Sequence, residues 1–351
     1  MPSVFGNAYV STMSTANSST AESAKTFDVA GIGSPLLDFI FEVHDGVLAE
    51  IDLKKGEMHL IDEEQSKKIL EMMRSYSVKT APGGSSANTL AGICALGGTA
   101  VMLGTVGNDE HGGIYEQKTV EHGVVSRLSR DDTKTTGHAI TFITPDSERT
   151  FATHLGAALS FRRDHVFEED IKRSRILHIE GYQLEDPALK DTCIHAMEIA
   201  IENSTKVSID LADPALVGRN LESITDIVKR YADIVFVNEM EAHAFTGKHD
   251  LEALHDIYDM CEVAVVKLGE KGSLVKADDD YWVFDAYKTS VDNTNGAGDA
   301  YAAGILFSLA RGIEMEKAGK IASYIAAQVV ASPGARVERS LVDEIAPFLK
   351  D

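Results

Sequence analysis

Cysteine is scarce in this chain: Cys94, Cys193 and Cys261 are the only three among 351 residues, and no two form a Cys-x-x-Cys pair. That excludes a disulfide framework and a cysteine-bound zinc site, and it fits reduced thiols packed in a cytosolic protein. Basic charge is short as well. Thirty-three Lys and Arg stand against 55 Asp and Glu, a formal charge of −22, so the average surface field repels polyanions and nucleic acid is excluded as a partner. No apolar run approaches the roughly 18–20 uncharged residues that span a bilayer. A soluble, cytoplasmic protein with no membrane partner is expected. Residues 1–24 contain no Lys or Arg, so they lack the basic region of a secretory signal and the arginines of a transit peptide. Residues 1–26 are read as a disordered tail ahead of a single domain, 27–351. The twelve histidines show no metal-ligand spacing.

What is present is apolar material, 44% of the chain, arranged as short runs alternating with longer stretches of helical period. That alternation is the mark of βα units, and it predicts an α/β fold with a mostly parallel central sheet and helices on both faces. The segments 27–33, 101–107, 175–181, 206–213, 234–238 and 263–269 read as strands; 85–96, 187–201, 221–231, 297–311 and 316–331 read as helices. Two regions, about 39–60 and 136–154, instead alternate in the manner of antiparallel strands. They are expected to form a small β-rich lid over the strand C-terminal ends, where ligands collect in open α/β sheets.

The segment that says most about chemistry is Gly296-Ala297-Gly298-Asp299, which feeds an Ala-rich helix. A glycine-rich turn there leaves backbone N–H groups and the positive end of the helix dipole facing one point, with a carboxylate beside it. Small residues let a phosphoryl group approach, and Asp299 could take the proton of an attacking hydroxyl. Asp38 is a charge set within Leu36-Leu37-Asp38-Phe39-Ile40-Phe41; a buried carboxylate needs donors, and a vicinal diol offers two. Gly83-Gly84-Ser85-Ser86-Ala87-Asn88 is a second glycine turn entering a helix, with the Asn88 amide one turn in. Asn238-Glu239-Met240-Glu241 follows a strand and offers oxygens around which hydrated Mg²⁺ could sit. Lys267-Leu268-Gly269-Glu270-Lys271-Gly272 is a strand-to-turn segment able to wrap a nucleotide, and Arg149, on a lid strand, could reach phosphates. Each segment alone also fits a plain cap, a turn or a solvated helix start.

A dinucleotide-binding dehydrogenase is kept only as a remote option, and a P-loop is excluded. Gly31-Ile32-Gly33-Ser34-Pro35-Leu36 has Leu36 where a dinucleotide fingerprint needs its third glycine, and Pro35 where the helix should open. The 267–272 turn lacks the Gly-x-x-x-x-Gly-Lys order of a P-loop.

In their order along the chain, with Gly296-Ala297-Gly298-Asp299 last, the segments resemble the ribokinase-like (PfkB) family of carbohydrate and nucleoside kinases, from Phe27 to the C-terminus. Gly33-Ser34-Pro35-Leu36-Leu37-Asp38 is most similar to the adenosine kinases within it. The resemblance implies Asp299 as catalytic base, Gly296, Ala297 and Gly298 as anion hole, and Arg149 as a lid arginine. It implies Asp38, Gly83, Gly84 and Asn88 on the sugar hydroxyls, and Lys267, Gly269, Gly272 and Asn295 at the nucleotide. Asn238 and Glu241 are implied for Mg²⁺ and phosphate. ATP and Mg²⁺ are the implied cofactors, and a nucleoside such as adenosine, or a sugar, the acceptor; a monomer or homodimer is expected. A non-catalytic nucleoside- or sugar-binding regulator on the same scaffold is the competing reading. The chain departs from the family at Asn293, where an Asp that helps bind a monovalent cation is usual, so a K⁺ site is put in question. Threonine is common where Lys267 stands.

Overall fold

The computed structural model describes residues 25–146 and 148–350. The stretch read as a tail therefore lies outside the described residues except for Lys25 and Thr26. Lys25 is anchored: its Nζ donates to the carbonyls of Lys172 (3.0 Å) and Asn203 (2.9 Å) and to Thr205 Oγ1 (2.7 Å).

In chain order the described strands are β1 (Phe27–Ile32), β2 (Leu37–Glu42), β3 (Met58–Leu60), β4 (Lys79–Pro82), β5 (Ala100–Gly107), β6 (Val125–Asp131) and β7 (His138–Ile143). They continue as β8 (Arg149–His154), β9 (Ser174–Glu180), β10 (Lys206–Asp210), β11 (Ile234–Asn238), β12 (Val263–Lys267), β13 (Ser273–Ala277) and β14 (Asp280–Phe284). Nine of them form the central sheet, ordered β14-β13-β12-β11-β10-β9-β1-β5-β6. From β12 to β6 every neighbouring pair is parallel; β13 and β14 add an antiparallel edge.

Period-two alternation sends neighbouring side chains of one strand into opposite cores. In β12, Ala264 and Val266 join one buried cluster, which includes residues of helices Pro187–Glu202 and Leu221–Tyr231, while Val263 and Val265 join the other, with helices Ser85–Ala95, Ala297–Ala310 and Met315–Val330. Burial on both faces is why these strands read as unbroken apolar runs.

After β1 the chain leaves the central sheet and, four residues on, starts β2 of a second sheet ordered β3-β8-β7-β2-β4. Leu37, Phe39 and Phe41 of β2 pack with Ile140, Phe142, Val47, Leu48, Ile69 and Met73 in a third buried cluster. Asp38 sits on the opposite face, toward a cleft. This sheet departs from the antiparallel one expected for the two segments: β2–β7 and β3–β8 pair parallel, because helical segments and not tight hairpins join those strands, and only β2–β4 and β7–β8 are antiparallel. Its composition also differs in two respects. A short helix, Asp45–Glu50, lies within 39–60, and the edge strand β4 comes from outside both segments. Four residues ending in Pro82 give little strand signal, and proline is tolerated only at such an edge. Among the described residues no helix is long and apolar enough to cross a membrane.

Candidate active site

Along β9 to β12, side chains of the face toward helix Ala297–Ala310 include Ile176, Ile234, Phe236, Val263 and Val265. At the C-terminal ends this same face turns polar: Glu180, Asp210, Asn238 and Lys267 follow by strand alternation. Asp210 lies in register with Glu180, and Asn238 with Lys267. Two helix N-termini, those of Ser85–Ala95 and Ala297–Ala310, meet above this row.

Asp299 is held where they meet. Ser85 Oγ donates to its Oδ1 (2.7 Å), Asn88 Nδ2 to its Oδ2 (2.8 Å), and Thr89 Oγ1 to its main-chain oxygen (3.2 Å). Burial raises the Asp299 carboxyl above the ordinary range, against the hydrogen bonds from Asn88 and Ser85. A carboxylate so placed is a stronger base than a free one. The helix starts at Gly296, whose φ is +78°, and any Cβ there would lie 2.3 Å from the Ala335 carbonyl oxygen; only glycine fits. No side-chain cap is formed by Gly296 at this helix start.

Lys267 lies beneath the turn: its Nζ would be 3.3 Å from a Cβ built on Gly298, and it pairs with Asp210 at 2.6 Å. Burial would lower its pKa, but Asp210, Glu241 and Asp299 together raise it, so the ammonium stays charged. Next to it Asn238 and Glu241 close a capping box. Glu241 N donates to Asn238 Oδ1 (2.8 Å), while Glu241 Oε2 accepts from Asn238 N (2.7 Å) and Oε1 from Asn238 Nδ2 (2.5 Å). Burial pushes the Glu241 carboxyl up to about 7, with Lys267 opposing. Among the described residues no group of three or more His, Cys, Asp or Glu could hold a metal by itself. This donor set fits Mg²⁺, which keeps several waters and shares its coordination with phosphate, rather than an all-protein cage.

At the other end, Asp38 faces the Gly83-Gly84 turn; a Cβ on Gly83 would stand 2.7 Å from Asp38 Oδ1, so glycine lets the turn abut the carboxylate. Burial lifts Asp38 to about 7, against the pull of Arg336 and Arg149. Gly84 has φ +91°. Behind it Glu180 accepts from Ser34 N (2.7 Å) and Ser86 N (2.8 Å).

These groups line one cleft of about 900 Å³. Of the residues singled out in the sequence, Asp38, Gly83, Gly84, Asn88, Asn238, Glu241, Lys267, Gly269, Asn295, Gly296, Gly298 and Asp299 all line it. Arg149, Ala297 and Gly272 do not. Arg149 Nη2 donates to the Pro333 carbonyl (3.4 Å), although its charge reaches Asp38. Gly272 packs into the sheet instead, since a Cβ there would stand 1.8 Å from the Phe284 oxygen. The Asn293 amide is engaged inside its own loop, donating to Pro333 O (3.3 Å) and accepting from Asn295 N (2.9 Å). Sequence reasoning assigned no role to Ser85, Glu180, Asp210 or Arg336. A legible signal existed for two of them: Leu-His-Ile-Glu180 and Ser-Ile-Asp210 each end a buried strand on a charge. For Arg336 there was none, because its partner Asn88 is 248 residues away.

A nucleotide-sized cleft at the strand C-terminal ends, with a carboxylate at an uncapped helix start, is the arrangement of a phosphotransferase. Residues 51–340 match the model of the pfkB family carbohydrate kinases, and the chain belongs to that family. It is 27% identical over 331 residues to adenosine kinase of Dictyostelium discoideum, covering 88% of this chain and 96% of that one. The structure of adenosine kinase from Sinorhizobium meliloti superposes with TM-score 0.84 at 31% identity, covering 92% and 98% of the two chains. A probable sugar kinase from Rhizobium etli superposes with TM-score 0.85 at 29% identity, covering 92% and 99%. The fold is thus ribokinase-like, and the protein is a nucleoside or sugar kinase of adenosine-kinase-like type, in a family of ATP-dependent phosphotransferases.

Proposed function

We propose that the protein transfers the γ-phosphoryl group of ATP to the primary hydroxyl of a ribose-containing acceptor, a purine nucleoside such as adenosine. The observation that carries this reading is the Asp299 carboxylate, bonded by Ser85 and Asn88 at a helix start between Asp38 and the Lys267–Asn238–Glu241 group.

Asp38 accepts hydroxyl donors of the ribose and, with the Gly83-Gly84 turn and Asn88, points its CH₂OH toward Asp299. The hydroxyl oxygen bonds to the γ-phosphorus as the bond to the ADP oxygen breaks, and the hydroxyl proton passes to an Asp299 carboxylate oxygen. Charge growing on the phosphoryl oxygens meets the N–H groups of the Gly296–Gly298 turn and the Lys267 ammonium. Glu241 and Asn238 would hold Mg²⁺ through water, which supplies charge neutralisation at the phosphates. Gly269 and Asn295 border the nucleotide, and Arg149 serves phosphate when the small sheet closes as a lid.

The cleft wall favours a nucleoside over a free sugar. Leu36, Met58, Leu60, Phe151, Leu155 and Leu159 line it, an apolar surface that suits the flat face of a base and exceeds what a polyhydroxyl compound needs. ADP release measured across purine and pyrimidine nucleosides, ribose and fructose tests the reading. Turnover of a purine nucleoside is expected; turnover of sugars alone would make it a carbohydrate kinase, and nucleoside binding without ADP release would make it a regulator.

A further inference from the structure

We infer that Arg336 is a positioning residue: by gripping the Asn88 amide oxygen and the Gly83 carbonyl together, it fixes the acceptor turn and aims the Asn88 amide nitrogen at Asp299. The inference rests on the kinase reading above. The Arg336 side chain is buried, and its Nε donates to Asn88 Oδ1 at 2.7 Å while Nη2 donates to Gly83 O at 3.1 Å. The same Gly83 oxygen also accepts from Tyr115 Oη at 3.0 Å.

An asparagine amide can be turned two ways, and its neighbours decide which. With the oxygen on a guanidinium, the nitrogen must face Asp299 Oδ2, where it lies at 2.8 Å. The reversed amide would set N–H against N–H and oxygen against carboxylate. A planar fork can hold two acceptors on different segments at once, which an ammonium on a flexible stem cannot do as well. Through Gly83 the same fork holds the turn against the Asp38 carboxylate.

Charge adds to geometry. Asp299 faces Ser85 and Asn88 of its partner helix, Glu180 of β9, Tyr182 beyond it, Asp210 of β10, Lys267 of β12 and Arg336. Asp38 faces Arg336, Arg149 of β8 and Tyr115 of helix Glu110–Glu121. Arg336 is therefore a cation whose field reaches both carboxylates.

The test compares Arg336→Gln and Arg336→Lys with the wild type in acceptor and ATP kinetics from pH 5.5 to 9, with thermal melts to check folding. In Arg336→Gln, kcat/KM for the nucleoside is expected to fall roughly 10- to 100-fold, the cost of a misplaced reacting group, while KM for ATP stays within about twofold. Its acid limb should move to higher pH, because two carboxylates lose a cation. Arg336→Lys should return the acid limb toward wild type while kcat remains about tenfold low, since charge is restored without the fork. An unchanged acceptor kcat/KM in Arg336→Gln overturns the inference, as does a loss that is uniform across pH and equal in both variants. If the glutamine variant does not fold, unchanged kcat in Arg336→Lys overturns it and a reduced kcat at unshifted pH supports it. Failure of the kinase reading would show separately, as absence of ADP release from the wild type. Calorimetric nucleoside binding then decides: weaker binding in Arg336→Gln, more so at pH 6 than at pH 8, supports the role, and equal binding removes it.

Discussion

Helix Ser85–Ala95 and helix Ala297–Ala310 both start at a left-handed glycine, Gly84 at φ +91° and Gly296 at φ +78°, and both present their first N–H groups at the same cleft. The first start is closed from within. Glu180, arriving on β9, takes the Ser86 N–H at 2.8 Å and the Ser34 N–H at 2.7 Å. At the second, Ala297 N donates to the Thr294 carbonyl at 3.3 Å, but among the described residues no side chain accepts from the N–H of Gly298 or Asp299, and the Lys267 ammonium lies beneath Gly298. Two helix starts that both open on a glycine of positive φ, at ψ 128° and −3°, thus have different chemistry. A helix N-terminus that its own protein neutralises is part of the scaffold, and one left without a cap is available to a ligand's charge.

The largest way to break this comparison is at Asp299. Asp299→Asn keeps the hydrogen-bonding shape but removes the base, so kcat should fall roughly 10²- to 10⁴-fold while nucleoside binding survives; turnover close to wild type would end the assignment. Gly298→Ala sharpens it. The added methyl would meet only the flexible end of Lys267, at 3.3 Å, so the melting temperature should hardly change while kcat drops roughly 10- to 100-fold by displacing the phosphoryl group. Equal turnover would show that the turn does not border the reacting phosphate.

At the closed start the expectation reverses, with stability lost first. Glu180→Ala strands two buried N–H groups and should cost about 1–3 kcal/mol in urea unfolding, with Glu180→Gln milder; an unmoved midpoint would mean that Glu180 does not cap this helix. The smallest effect concerns pH. Asp38 is raised from 3.8 to about 7, so it must lose its proton to accept hydroxyl donors. Acceptor kcat/KM should climb up to about pH 7 and level off above it, and Asp38→Asn should flatten that limb. The stability sign is opposite: a folded pKa above the unfolded one means the native state keeps a proton the unfolded chain has lost. Between about pH 4 and 7 this group therefore erodes stability as pH rises. Asp38→Asn should melt higher than wild type at pH 7.5, with the gap closing near pH 4; a gap that grows toward pH 4 would contradict the shift.

Much of the fold was legible because physics made it local. β10, β11 and β12 are buried on both faces and read as apolar runs, and helix Pro187–Glu202 opens on an Asp186-Pro187 cap; helix Glu239–Thr246 is not read as one, although Asn238-x-x-Glu241 is cap chemistry. Of the strands that escaped notice, β4, β6 and β14 lie at edges, while β13 is buried inside the sheet and was missed because five residues directly after a glycine turn give a short signal. β6 is half-buried along most of its length, β14 is largely exposed, and both carry charges, so burial imposes no alternating pattern on them. Arg149 stands on β8 as read, with its guanidinium on the Pro333 carbonyl at 3.4 Å; a strand shows which face a side chain takes, and what the long side chain reaches depends on distant neighbours.

By itself the sequence determined the α/β architecture, the glycine turns and the carboxylates that stand beside them, since each depends on neighbours a few residues apart. Which turn is capped, which way the Asn88 amide points and what shares charge with Lys267 were decided only by tertiary structure. Those outcomes depend on Glu180, Arg336 and Asp210, and hydrogen bonds and ion pairs act over about 3 Å of space between groups that the chain keeps far apart.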